Sequence, residues 1–91
     1  MNLHTLNASR NYAITDQGIK HMNLYSLTAS NNKMITDQGI KNMNLSILKA
    51  KNNPNITDEG IKHMQLDTLE ATDKCKYTLK KLSELNNQVT N

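Results

Sequence analysis

The side chains able to do chemistry are few, and they are evenly spaced. Three histidines (His4, His21, His63), one cysteine (Cys75) and a column of aspartates (Asp16, Asp37, Asp58) are the groups to weigh first. The aspartates recur every 21 residues, each followed by Gly two residues on and Lys four residues on. A carboxylate that repeats with a structural period reads as a device of the repeat rather than as an acid–base pair. If successive units stack as parallel strands about 4.8 Å apart, His21 and His63 stand roughly 10 Å from each other, too far to share a metal ion. Cys75 has no neighbouring histidine to activate it and reads as a structural or surface thiol. Neither a Gly-rich phosphate loop, a nucleophile elbow nor a His-Glu metal motif is present. No catalytic residue, metal site or cofactor is therefore expected, and the reading is of a chain that is not an enzyme.

What must position these residues is an internal repeat. Met1, Met22, Met43 and Met64 are spaced by 21 residues, and aligning on them brings the whole chain into register. Residues 1–21 and 22–42 are identical at 14 of 21 positions. The shared frame is M-x-L-x-x-L-x-A-x-x-N-x-x-I-T-D-x-G-I-K. Periods of this length mark stacked architectures in which each unit buries its apolar side against the next.

The first half of the frame resembles the leucine-rich-repeat consensus, L-x-x-L-x-L-x-x-N-x-L. The resemblance covers essentially the whole chain, in four units that agree in register. It implies an α/β solenoid with parallel strands on a concave side, short helical turns on a convex side and a capping helix at the C-terminal end. One departure recurs: Ala8, Ala29, Ala50 and Ala71 stand where the family usually has Leu. The I-T-D-x-G-I half is similar to the convex segment of leucine-rich repeats found beside F-box motifs, although those are usually longer. One domain spans 1–91, with units 1–21, 22–42, 43–63 and 64–85 and a frayed tail at 86–91.

Each position of the frame has a physical reason. Leu6 and Ala8, two apart, turn to the same side of a strand, and Leu3 enters the core just before it. Asn11, Asn32 and Asn53 fall where the chain must turn, and a buried amide there can bond turn and neighbouring-coil backbone as a ladder. Ile14, Ile35 and Ile56 re-enter the core. Thr15, Thr36 and Thr57 suit helix N-caps, each with Asp next to it. Ile19 and Met22, with their equivalents, face inward together. Asp16–Lys20, Asp37–Lys41 and Asp58–Lys62 have the spacing of helical ion pairs, worth about 0.2–0.5 kcal/mol each. Gly18, Gly39 and Gly60 permit either close packing between adjacent coils or a tight, non-ideal helix.

The two ends differ. In the fourth unit Leu79 replaces Asp and Lys81 replaces Gly, while Leu79, Leu82 and Leu85 share one helical face. This predicts a capping helix from about Thr78 to Asn86. At the other end the first strand begins close to Met1 and leaves an edge that invites pairing. Either a longer chain continues the stack or self-association closes it. The preferred reading is a homodimer through Met1, Asn2, Leu3 and Leu6.

The remaining candidate surface is the strand face that alternates with the inward Leu and Ala. Its columns read Thr5, Ser26, Ile47, Thr68, then Asn7, Thr28, Lys49, Glu70, then Ser9, Ser30, Lys51, Thr72. Partner-binding residues are assigned to Tyr25, Ile47, Lys49, Lys51 and Glu70. The expected function is a protein–protein interaction module that binds a protein partner there. A self-assembling structural protein is the first alternative. A substrate-receptor fragment of a ubiquitin ligase, suggested only by the I-T-D-x-G-I likeness, is the second.

Composition fits a narrow core. Ninety-one residues contain no Trp or Phe, so Leu, Ile, Met and Ala must build it. A net charge of +3 with lysines and carboxylates interspersed describes a solvated surface rather than a nucleic-acid footprint. One cysteine excludes an intrachain disulfide. No apolar run is long enough for a membrane span, and Met1 already falls within the pattern, so no leader segment is expected. The expected location is intracellular, in the cytoplasm.

Overall fold

The computed structural model describes residues 4–89. It is an α/β arrangement of four parallel strands in one sheet, alternating with short helices. The order is β1 (Thr5–Asn7), α1 (Asp16–Ile19), β2 (Ser26–Thr28), α2 (Asp37–Ile40), β3 (Ile47–Lys49), α3 (Asp58–Ile61) and β4 (Thr68–Glu70). A 3-10 turn at Asp73–Cys75 then leads directly into α4 (Lys76–Val89).

The strands lie in chain order, and their register pairs residues 21 apart: Leu6 with Leu27, Leu27 with Leu48, Leu48 with Leu69. The sequence period is therefore the spatial period, an arrangement compatible with a stack of repeating units. Between sheet and helices runs one apolar column. Leu27, Leu48, Ala29, Ala50, Ile35, Ile56, Ile40 and Ile61 are fully buried, and Leu24, Leu45 and Leu66 nearly so.

The turn after each strand is built on a left-handed residue. Arg10, Asn31 and Asn52 have φ near +60°, one position before the frame asparagine. Asn tolerates this region far better than a residue with a long side chain, so Arg10 is the strained member. The frame asparagines do what their spacing predicts. The Asn32 amide donates to the carbonyls of Ala8 (2.8 Å), Asn11 (3.0 Å) and Ile14 (3.3 Å), all in the preceding unit. Asn53 repeats this with Ala29 (3.1 Å), Asn32 (2.8 Å) and Ile35 (3.0 Å). Both Asn32 and Asn53 are fully buried, whereas Asn11 in the first unit is exposed.

Four expectations need correction. Met22 is 45% exposed, although Met43 and Met64 are buried as the pattern asks; it belongs to the end of the sheet where the apolar column thins. The C-terminal helix starts at Lys76 rather than Thr78 and extends through Val89, so the backbone of most of the expected tail is helical. Its early start follows from the 3-10 turn, whose Thr72 accepts from the Lys74 N–H and feeds the chain straight into helix. Thr36 and Thr57 cap their helices as expected, but Thr15 makes no side-chain cap bond. Nor do the Asp–Lys pairs form among the described residues; Lys62 reaches Glu59 instead, at 3.2 Å. Leu79 and Leu82 pack against the core, and the side chain of Leu85 lies outside the described residues.

The recurrent alanine is explained by this cross-section. Ala29 is fully buried, and its carbonyl accepts from both the Asn32 backbone and the Asn53 amide, so a larger side chain must push the ladder apart. Ala29→Leu is expected to cost about 1–3 kcal/mol through overpacking. Thermal melts check this, and an unchanged midpoint contradicts it.

Candidate functional site

The sheet has one face on the core and one facing away from it. The central leucine of each strand turns inward, so the residues on either side of it point outward. Register sets Thr5, Ser26, Ile47 and Thr68 side by side, and likewise Asn7, Thr28, Lys49 and Glu70. The sheet brings four of the five assigned residues, Ile47, Lys49, Lys51 and Glu70, onto two adjacent strands and the turn after β3. Ile47 is half-buried, Lys49 and Lys51 are exposed, and Lys51 Nζ stands 3.8 Å from Glu70 Oε1. At that exposure the pair contributes about 1 kcal/mol or less, so Glu70 is open to exchange Lys51 for another cation. Tyr25 does not belong with them. It precedes β2, shares the alternation of buried Leu27 rather than of Ser26 and Thr28, and is half-buried. Of the assigned self-association residues, Met1, Asn2 and Leu3 lie outside the described residues, and Leu6 is half-buried against the core.

The aspartate column proves to be a set of junctions between units. Asp16 accepts hydrogen bonds from the Thr36 backbone N–H (2.8 Å) and from the Thr36 hydroxyl (2.6 Å). Asp37 accepts the same two bonds from Thr57, at 2.8 and 2.5 Å. Asp58 accepts from the Thr78 N–H and hydroxyl and from the Tyr77 N–H, so it caps the first turn of α4 from the unit before it. This occupies the carboxylates and explains why they do not pair with lysine. It also settles the role of the glycines. A Cβ on Gly39 would collide with the Asp16 carboxylate, and one on Gly60 with that of Asp37, whereas a Cβ on Gly18 would meet open space. The spacing T-D-x-G carried this signal, but the partner of each group lies 20 residues away, beyond the reach of helical periodicity.

Cys75 is fully buried and donates to the Ile56 carbonyl at 3.4 Å. That carbonyl is the equivalent of those bonded by Asn32 and Asn53, so the thiol closes the asparagine ladder where the fourth unit has Lys74 in the asparagine position. Burial, reinforced by the charges of Asp58 and Asp37, pushes its pKa up to about 12, the reverse of what a nucleophile needs. The His63 ring nitrogen Nε2 lies 3.1 Å from the Met43 carbonyl, to which it donates in the tautomer protonated there. Among the described residues no three His, Cys, Asp or Glu side chains form a metal-binding group, and no helix is long and apolar enough to cross a membrane. A groove missed by sequence reasoning opens between the fourth unit and α4, lined by Met64, Leu66, Tyr77 and Leu82 with Lys62 and Lys81. Its far wall belongs to the divergent helix, which no repeat alignment describes.

Asp58 gives the junctions a pH signature. Burial alone would raise its carboxyl, but the Thr78 hydroxyl, the Thr78 and Tyr77 N–H groups and nearby Lys76 outweigh this and hold it below the ordinary 3.8. A depressed folded-state pKa stabilises fully above the unfolded value, and the contribution is lost as pH falls through the folded value. Denaturant unfolding between about pH 5 and pH 2.5 is expected to show a smaller loss of stability for Asp58→Asn than for the parent chain. Parallel losses in the two would contradict the assignment.

Compared with protein-family models, with curated proteins and with solved structures, the chain matches none of them, so its function is read from the geometry alone.

Proposed function

We propose that the chain is a short leucine-rich-repeat solenoid that acts as a protein-interaction module rather than as an enzyme, binding a protein partner through the outward face of its sheet. Its support is the sheet register, one strand per 21-residue unit, and the asparagine ladder that follows each strand. The observation that carries the functional reading is where the units differ. Positions that build the core and the junctions repeat almost unchanged, while the outward column changes from Asn7 and Thr28 to Lys49 and Glu70. A face freed from the frame is where recognition can be written without cost to the fold. Ile47 supplies an apolar contact beside Lys49, Lys51 and Glu70, whose charges fix polarity rather than bulk affinity.

The test is capture from cells of the source organism with three baits: the parent chain, the sheet-face variant Ile47→Ala/Lys49→Ala/Lys51→Ala/Glu70→Ala, and a helix-side variant Gln17→Ala/Lys20→Ala/Lys41→Ala. Proteins specific to the parent are expected to persist on the helix-side bait and to vanish from the sheet-face bait. Retention on the sheet-face bait would reject the assignment.

A further inference from the structure

The groove between the fourth unit and α4 follows from one departure from the frame. Gly39 and Gly60 let α2 and α3 close onto the aspartate of the unit before them, because a Cβ at either would collide with that carboxylate. Lys81 holds the equivalent position in α4 and carries a Cβ, so α4 cannot repeat that approach to Asp58. The junction forms again with different bonds. Asp37 takes the Thr57 N–H on Oδ1 and the Thr57 hydroxyl on Oδ2. Asp58 takes both Thr78 donors on Oδ1 and the Tyr77 N–H on Oδ2. The stand-off leaves an open groove of about 390 Å³, within the size range of small-molecule sites.

Met64, Leu66 and Leu82 supply apolar lining, and Tyr77, 64% exposed, adds its ring. Lys62 and Lys81 bring two ammonium groups and Asp67 one carboxylate, so the lining is net positive. Lys62 holds Glu59 at 3.2 Å, but both side chains are exposed, and such a pair is weak and open to exchange. Lys81 makes no ion pair among the described residues. The backbone N–H groups of Met64, Asp67, Tyr77 and Thr78 are already bonded, to the carbonyls of Ile61 and Ser46 and to the Asp58 carboxylate.

We infer that this groove is a binding site for a medium-chain alkyl carboxylate, its chain along Met64, Leu66, Leu82 and Tyr77 and its carboxylate held by Lys81 and Lys62. Alkyl surface removed from water supplies the affinity, and the two ammonium groups select an anion over a neutral chain. A peptide suits the groove less well, because those four N–H groups are not free to bond its main chain. A second copy of this chain suits it no better. Among the described residues its exposed large apolar side chains are Tyr12, Met22, Met34 and Tyr77, and none has an acidic neighbour in sequence to meet the lysines. The site is separate from the outward face of the sheet and needs no protein partner.

The test titrates octanoate, below the concentration at which it forms micelles, into the full 91-residue chain, isotope-labelled and followed by NMR. Saturable shifts are expected at the Met64 methyl group and the Lys81 and Leu82 amides, with octanol binding about tenfold more weakly. Lys81→Met keeps the apolar length and removes the charge. It is expected to bring octanoate down to the level of octanol and to leave octanol unchanged, and Lys62→Met to act in the same direction. Both lysines are exposed, so both variants are expected to melt with the parent; should one melt lower, the other decides. No saturable shift up to about 10 mM octanoate, octanol bound as tightly as octanoate, or shifts confined to the outward face would overturn the inference. So would tighter binding of an acetylated Glu-Leu-Leu-Glu peptide at the same residues, or a dimer that covers Tyr77 as concentration rises. The first gives the groove to a protein segment and the second to another copy of the chain.

Discussion

A chain that turns back on itself every 21 residues must bury the carbonyls of its turns, and buried carbonyls without donors are costly. The side-chain amide of Asn32 supplies a donor to three of them, and that of Asn53 to the next three. No apolar side chain of the same size can do this, and a charged one would bring its own desolvation penalty. The narrow apolar column beside the ladder depends on it. Ala8 and Ala29 are small because the ladder passes against their carbonyls, and the isoleucines that follow re-enter the core at the height the ladder sets.

The same constraint makes the stack directional. An amide donates its hydrogens only toward carbonyls of the unit before it, and the Thr–Asp junction on the helical side points the same way. Two ends of such a stack cannot be alike. The C-terminal end resolves the problem by substitution: a thiol takes one ladder bond, Asp58 caps α4, and leucines cover the column. The β1 end retains donors. The β1 edge and the outward face of the sheet are thus distinct surfaces, formed by different groups.

Much of the fold was legible because a period of 21 leaves few alternatives once Leu, Ala, Asn and Ile recur in fixed places. Strand positions, inward leucines and the asparagine ladder follow from alternation and from the need to satisfy turn carbonyls. The aspartate contacts were not legible in the same way. A helical spacing of four made Asp16–Lys20 look like a pair, yet the carboxylate finds two donors on Thr36 in the next unit, a closer and better-aligned set than a mobile ammonium. Tyr25 precedes β2 by one residue and has the parity of buried Leu27, so alternation counted from the inward leucine sets it apart from Ile47, Lys49 and Glu70. The role of Cys75 depended on a one-position slip of the ladder into the 3-10 turn, which alignment to the frame hides.

The central claim is that the buried amide, rather than the apolar column alone, holds one unit on the next. Denaturant unfolding of Asn32→Leu beside Asn11→Leu tests it most directly, because the two changes are chemically identical at equivalent positions of the frame. Asn32→Leu, which removes three buried donations and puts a bulkier side chain in their place, is predicted to lose about 3 kcal/mol or more. Asn11→Leu, at the exposed position, is predicted to stay within about 0.5 kcal/mol of the parent. Equal effects at the two positions would contradict the account.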